Sequence, residues 1–280
     1  MIMSNLKLLF ATLASASLVA CGGGGGGSST PSGIRTVSNT PSVNYCDGSG
    51  TYTQTNVNFI PGYLITDDTW GLSSVTSHWQ TCVSGTANSS AASSTYTWDL
   101  SQIPTTDVVA YPSVVYWPSS YHMNGVNLNQ LNTLSSTYNY SYTGQVNDVS
   151  YDMWIDTTSS FQAANHKGEV MIWMTNGSVS GVTAAQLSTY PIVTIAGTNY
   201  YLWTSVWSSS SCPASNCTHY NFIAVNPSLS GTIQLQPFYT YLLTLGFLSN
   251  SDYLTDIEFG AELREQTTGS LTINNFSVNP

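Results

Sequence analysis

Alternation with a period of two runs through this chain, and the three-and-four spacing of an amphipathic helix is nearly absent. In Tyr151-Asp152-Met153-Trp154-Ile155-Asp156, the apolar Tyr151, Met153 and Ile155 alternate with Asp152, Trp154 and Asp156. Successive side chains of a strand point to opposite faces, so this segment has one core face and one polar, aromatic face. The stretch GEVMIWM at 168–174 sets Val170, Ile172 and Met174 against Glu169, Met171 and Trp173. At 257–264, Ile257, Phe259, Ala261 and Leu263 oppose Glu258, Gly260, Glu262 and Arg264, with Gly260 read as a point of close ligand approach. At 200–207, Tyr201, Trp203 and Trp207 continue an aromatic-lined groove. Runs rich in Val, Ile, Thr, Tyr and Trp, divided by Gly, Asn, Ser and Pro, predict a many-stranded antiparallel sandwich or barrel. Strands are expected at 50–55, 63–66, 94–99, 108–116, 148–156, 169–174, 192–195, 198–207, 219–225, 253–262 and 269–278. One segment departs from the pattern: QPFYTYLLTLGFL at 236–248, opened by Pro237, predicts a single helix packed on the outside of a sheet.

The N-terminus reads as an export signal, with Lys7 before an apolar run and Leu18-Val19-Ala20-Cys21 at its end. That ending resembles a bacterial lipobox. The resemblance implies a signal peptide at 1–20, acylation of Cys21, a lipid-anchored Gly/Ser-rich tether at 21–42 and one domain at 43–280. The expected address is the bacterial envelope, with the membrane as a partner through Cys21. An ordinary leader followed by a free Cys21 is the alternative. Fourteen acidic residues against four Lys and Arg exclude nucleic acid as a partner. With only 6% charged residues and 12% aromatics, the surface falls to Ser, Thr, Asn and Tyr, which suits neutral, hydroxyl-rich ligands. Cys46, Cys82, Cys212 and Cys217 read as two disulfides, Cys212 with Cys217 and Cys46 with Cys82 by spacing. A metal site from Cys212, Cys217 and His219 is the competing reading. Monomer is the default for a self-contained sandwich.

The chain has only four glutamates, Glu169, Glu258, Glu262 and Glu265, and the polar strand faces carry the first three. Glycosidic cleavage needs one carboxylic acid to protonate the leaving oxygen and one carboxylate to attack or stabilise the anomeric carbon. Serine hydrolase chemistry has no GxSxG elbow to rest on, and no HExxH spacing unites the four histidines.

GEVMIWM resembles the E-[LV]-M-I-W-L nucleophile motif of glycoside hydrolase family 12, and FGAEL at 259–263 is similar to its F-G-T-E acid/base motif. Tyr151-Asp152, YPSVVY at 111–116 and DDTWG at 67–71 match further family stretches, and Cys46 and Cys82 fall where the family has its N-terminal disulfide. The resemblance implies a jelly roll of two antiparallel sheets, with an open cleft and one helix on the outer sheet. It also implies a retaining endo-β-1,4-glucanase that acts on plant-type β-glucan such as cellulose, mixed-linkage glucan or xyloglucan, and that needs no cofactor. Carried over, Glu169 is the nucleophile, Glu262 the acid/base and Asp152 the group that steadies Glu169. Trp70, Asp68, Met171, Trp173, Trp203 and Glu258 would line the substrate site. Asp68 stands where the family has asparagine, Arg264-Glu265 where an aromatic is commoner, and WPSSYHMN at 117–124 replaces a G-W-x-W-G type sequence. The rival of another class is a non-catalytic glycan-binding lipoprotein on the same sandwich; within enzymes it is a family 11 xylanase, against which GEVMIWM and DDTWG argue.

Overall fold

The computed structural model describes residues 42–48, 57–59, 62–72, 75–88, 90–104, 108–117, 125–162, 165–175, 182–207, 217–264 and 266–280. The leader, Cys21 and the tether, the strand expected at 50–55, Cys212, Glu265 and residues 118–124 of the divergent loop lie outside them.

The strands of the described residues are, in chain order, β1 (Ser42–Gly48), β2 (Val57–Phe59), β3 (Tyr63–Thr66), β4 (Gln80–Ala87), β5 (Ala92–Asp99), β6 (Val108–Ala110), β7 (Ser113–Tyr116), β8 (Val126–Asn127) and β9 (Ser135–Gly144). They continue with β10 (Asp148–Asp156), β11 (His166–Trp173), β12 (Ile192–Ile195), β13 (Thr198–Trp207), β14 (Cys217–Ala224), β15 (Ser230–Gln234), β16 (Tyr253–Leu254), β17 (Ile257–Arg264) and β18 (Thr268–Asn279). Two sheets result, one ordered β1-β4-β5-β18-β9-β15, the other β12-β13-β14-β11-β10-β17-β7-β3-β2 with β6, β8 and β16 attached beside it. The molecule is a jelly-roll sandwich, antiparallel apart from β11 and β14, which run parallel.

The core lies between the sheets and takes the apolar set of each alternating strand. Tyr151, Met153 and Ile155 of β10, Val170 and Ile172 of β11, and Ile257, Phe259, Ala261 and Leu263 of β17 meet Tyr138, Tyr140, Leu271, Ile273 and Phe276 of the smaller sheet. Phe259 stacks on Phe276 at 5.8 Å and lies 4.8 Å from Tyr151. Buried phenols need partners, and these reach across the sandwich: Tyr151 donates to Ser136 Oγ at 2.9 Å, and Tyr140 to the Met174 carbonyl at 3.1 Å.

On its outer face the smaller sheet is held by hydroxyl pairs. Thr86 meets Ser93 at 3.1 Å, Thr137 meets Thr232 at 3.0 Å and Thr143 meets Ser270 at 2.8 Å, all exposed. The Cys46–Cys82 disulfide joins β1 to β4 at directly opposed positions, with Cα atoms 4.0 Å apart.

Two expectations about the fold change. The late helix, α2 (Gln236–Thr244), following the single-turn α1 (Ala184–Leu187), lies on the core side of the larger sheet rather than on the outer sheet. Its Phe238 packs edge-on against Phe222 and Tyr200, and Tyr239 donates to Met153 Sδ at 2.7 Å. The helix buries Phe238, Tyr239 and Leu242 there, since the three-and-four spacing forms one apolar stripe and that stripe needs a core to cover it. Gly260 is occupied by the protein itself and not by a ligand: a Cβ there would stand 2.3 Å from the Pro112 carbonyl oxygen and 2.7 Å from Ser113 Cβ. Only glycine lets the start of β7 close onto β17, between Glu258 and Glu262.

Candidate active site

β10 lies between β11 and β17, and the residues these strands turn away from the core form one polar surface. Register decides the neighbours. Glu169 of β11 is opposite Trp154, Asp152 is opposite both Met171 and Glu258, and Asp148 is opposite Glu262. On the other side of β11, the parallel pairing sets His219 of β14 beside Glu169. Glycine at 168 permits this approach, because a Cβ there would lie 2.7 Å from the Thr218 carbonyl oxygen.

Glu169 is 1% exposed and its Oε2 lies 3.0 Å from Nε2 of the equally buried His219. Burial alone would push its carboxyl up. The charge and hydrogen bond of His219, a hydrogen bond with Asp152 and the charge of His166 outweigh burial and hold Glu169 below the usual glutamate range. Asp152 moves the opposite way: burial, then the charges of Glu169 and Glu258 and its hydrogen bond to Glu169, raise it well above the aspartate range. Asp152 is therefore the protonated member that donates to an ionised Glu169.

Glu262, 5% exposed, is also pushed far up, by burial, by the charge of Asp148 and a hydrogen bond with it, and by the charge of Glu169; the Asn147 amide opposes the shift. Asn147 Nδ2 donates both to Glu262 Oε2 and, at 3.0 Å, to Asp148 Oδ2. Glu258 accepts from Ser113 Oγ at 2.8 Å and is pushed up to about 7, mainly by burial. Beside this group Asp256 accepts from the Trp154 backbone at 3.0 Å, and His166 Nδ1 lies 2.6 Å from Asp156 Oδ1 under the Trp154 ring. One carboxylate held ionised and one carboxyl held protonated, on strands flanking β10, are the two states that general acid catalysis with nucleophilic attack requires.

The other residues singled out from the sequence flank this centre. Met171 and Trp173 are covered, at 1% and 3% exposure, by Val182, Leu187 and Ile223, with the half-buried Tyr190, Tyr201 and Trp203 packed on them. Trp203 stacks on Tyr190 at 6.1 Å. At the opposite side Trp70 and Asp68, both half-buried, follow β3. Asp68 has φ +33°, a region where Asp and Asn are favoured over other side chains, so backbone shape also selects this residue type. Its neighbour Asp67 is buried against Thr81 Oγ1 at 2.9 Å and Tyr45 OH at 3.0 Å, and burial with the Asp47 charge pushes it up to about 7. Cys217 is disulfide-bonded, and its expected partner Cys212 lies outside the described residues. The metal reading of Cys217 and His219 gives way, because a disulfide sulfur is no thiolate ligand and His219 faces Glu169.

His219, Asp148 and Asn147 escape the sequence reading. Alternation in β14 does place His219 and Asn221 on the face opposite the core residues Tyr220 and Phe222, which was the available signal.

The family model of glycosyl hydrolase family 12 matches residues 61–279. A xyloglucan-specific endo-beta-1,4-glucanase A of Aspergillus niger is 28% identical over 221 residues, covering 77% of this chain and 84% of that one. The Trichoderma harzianum endoglucanase 3 superposes with a TM-score of 0.68 at 22% identity, over 86% of this chain and 98% of that chain. A family 12 xyloglucanase of Bacillus licheniformis superposes at 0.67 and 21%, over 85% and 99%; at such identity both likenesses concern the fold. These findings correct the N-terminal reading. The relatives from Aspergillus niger and Emericella nidulans, each a xyloglucan-specific endo-beta-1,4-glucanase A, are fungal, so a bacterial export motif finds no support in them. Assignment as a bacterial lipoprotein, lipidation of Cys21, the membrane as partner and the envelope address are withdrawn. With the fold, the carboxylate faces and a family match over most of its length in agreement, the chain belongs to glycosyl hydrolase family 12.

Proposed function

We propose that this protein is a retaining endo-β-1,4-glucanase in which Glu169 attacks the anomeric carbon and Glu262 serves as acid and then base. The observation that carries this reading is geometric: the strands on either side of β10 bring Glu169 and Glu262 onto one face, with His219 3.0 Å from Glu169, which favours an ionised carboxyl, and Asp148 opposite Glu262, which favours a protonated one. In the first step the Glu262 proton passes to the glycosidic oxygen, the C–O bond breaks and a Glu169 oxygen bonds to the anomeric carbon. In the second, the Glu262 carboxylate takes a proton from water, which displaces Glu169 from the same face that the leaving sugar had occupied. Asp152 keeps its proton and its hydrogen bond to Glu169 until the covalent bond forms.

β-1,4-glucans, including xyloglucan, are the substrate class, in line with the Aspergillus niger relative. From β3 beside Trp70 to β13 with Trp203 there are six inter-strand steps of about 4.8 Å, roughly 29 Å of sheet with the carboxyls near its middle. A surface of that length takes several sugar units on each side of the scissile bond, which means cutting within a chain. Trp70 and Asp68 at one end, and Trp203 stacked with Tyr190 at the other, supply its aromatic and polar contacts, while the buried Met171 and Trp173 support Trp203 from beneath. The catalytic domain spans 43–280, behind an export leader at 1–20 and a Gly/Ser-rich linker at 21–42.

The test is to follow viscosity, reducing ends and the anomeric proton signals of fresh products on barley β-glucan, xyloglucan and carboxymethylcellulose. Viscosity falling ahead of reducing ends, with β-anomers appearing first, is expected; α-anomers first, or binding without cleavage, would defeat the proposal. A second expectation concerns His219. In His219→Gln the imidazole that favours ionised Glu169 is lost, Glu169 becomes harder to ionise, and the acid limb of kcat/KM should move to higher pH by about one unit or more. A uniform fall in rate with the limb unmoved would reduce His219 to a packing role.

A further inference from the structure

The assignment of Glu262 leaves open what keeps it protonated, and the opposed residue on β10 supplies an answer. We infer that Asp148 is a positioning residue for the acid/base: Asp148 and Glu262 hold one proton between them, with the Glu262 carboxyl donating to Asp148 and the Asn147 amide bridging both. This inference rests on the acid/base reading of Glu262 and deepens it.

Geometry carries the argument. Asp148 is fully buried, Glu262 nearly so, and the register sets them directly opposite each other on adjacent strands. Asn147 Nδ2 offers one hydrogen to Glu262 Oε2 and one to Asp148 Oδ2, drawing the two carboxyls onto the same amide. Ser150 Oγ donates to Asp148 Oδ1 at 2.6 Å, so Asp148 is tied on both oxygens. Two carboxyls in hydrogen-bond contact away from water cannot both be ionised without a large penalty, and the pair therefore keeps one proton. Burial pushes both carboxyls up, but Asp148 receives three hydrogen bonds that favour its charged form, from Glu262, Ser150 and Asn147, whereas the bond between the carboxyls favours protonated Glu262. The proton thus resides on Glu262, where the first step needs it.

The cycle stays balanced. As Glu262 gives its proton to the leaving oxygen, the charge of Glu169 disappears into the glycosyl–enzyme bond, so one like charge leaves the site while another forms. Asp148 then makes the Glu262 carboxylate a stronger base toward the incoming water. The other groups facing the pair are Glu169 from β11, whose charge pushes both carboxyls up, and Tyr111, which donates to the Ser150 carbonyl at 2.9 Å and stays neutral. Arg264 stands two residues along β17 from Glu262.

The experiment is the pH dependence of kcat/KM on β-glucan for native enzyme, Asp148→Asn and Glu262→Gln, with a carboxyl-13C glutamate titration. The chain has four glutamates, so the Glu262 resonance is identified as the one lost in Glu262→Gln. Asp148→Asn should move the basic limb and the Glu262 midpoint to lower pH by about one unit or more. An unmoved limb with Glu262→Gln inactive on the polymer overturns the pairing alone. Full activity of Glu262→Gln on the polymer overturns the acid/base reading beneath it. Should Asp148→Asn fail to fold, native enzyme decides: a Glu262 midpoint near the ordinary value of about 4.3 overturns the proposal, and one well above it supports it.

Discussion

Glu169→Ala is expected to lower kcat on barley β-glucan by about 10⁴-fold or more, the scale of loss when a catalytic nucleophile is removed. No neighbour can substitute. Asp152 is protonated by burial and by the Glu169 charge, and Glu258, pushed up to about 7, sits on the far side of Asp152 in the register. The distinguishing measurement is chemical rescue. Azide entering the space left by the side chain should attack an activated aryl β-cellobioside from the face Glu169 used, giving an α-glycosyl azide. Far-ultraviolet circular dichroism matching the native protein would separate lost chemistry from lost fold. Activity of Glu169→Ala near the native level without azide would remove Glu169 from the mechanism.

Glu262→Ala should separate the two steps. On β-glucan, where the leaving group needs a proton, kcat should fall by about 10²- to 10⁴-fold. An aryl glycoside with an acidic phenol leaves unaided, so its first step should survive and the glycosyl–enzyme should accumulate, visible as a phenol burst and an added sugar mass on the protein. Azide, which needs no base, should then restore turnover and give a β-glycosyl azide. The configuration is opposite to that expected for Glu169→Ala, so the two rescue products assign the two carboxyls independently. Equal losses on polymer and activated glycoside, with no burst, would argue that Glu262 acts on structure and not on proton transfer.

Much of this site is legible in the strands themselves. Asp148–Asp156 forms with the bounds that alternation predicts, and the core sets of β10, β11 and β17 are those expected from period two. What alternation cannot supply is which strand lies beside which. His219 reaches Glu169 through a parallel pairing between strands fifty residues apart, as the positions 169 and 219 show, and no local pattern encodes it. Asp148 is equally hidden, since its role depends on standing opposite Glu262.

The smaller sheet is harder to read for another reason. QTCVSGTA in β4 and SSTYNYSYTG in β9 are so rich in Ser, Thr and Gly that they pass for loops, yet Val83, Tyr138 and Tyr140 on their inner faces suffice to anchor them in the core. The stretch at 108–116 divides at Tyr111-Pro112, because proline has no N–H to give a ladder; β6 and β7 then pair with successive parts of β17. At Gly260 the missing side chain is read correctly as a sign of close approach, but the approaching group is the chain at Pro112 and Ser113.

The hydroxyl pairs across the outer face of the smaller sheet have a consequence for the medium in which the protein can work. Dissolved ions screen attractions between exposed charges, largely so beyond about 8–10 Å at moderate ionic strength and at still shorter range in brine, and leave neutral hydrogen bonds nearly untouched. Among the described residues seven aspartates and two glutamates are buried, while the ladders Thr86–Ser93, Thr137–Thr232 and Thr143–Ser270 carry no charge. The exterior of that sheet therefore coheres to the same degree in dilute buffer and in brine.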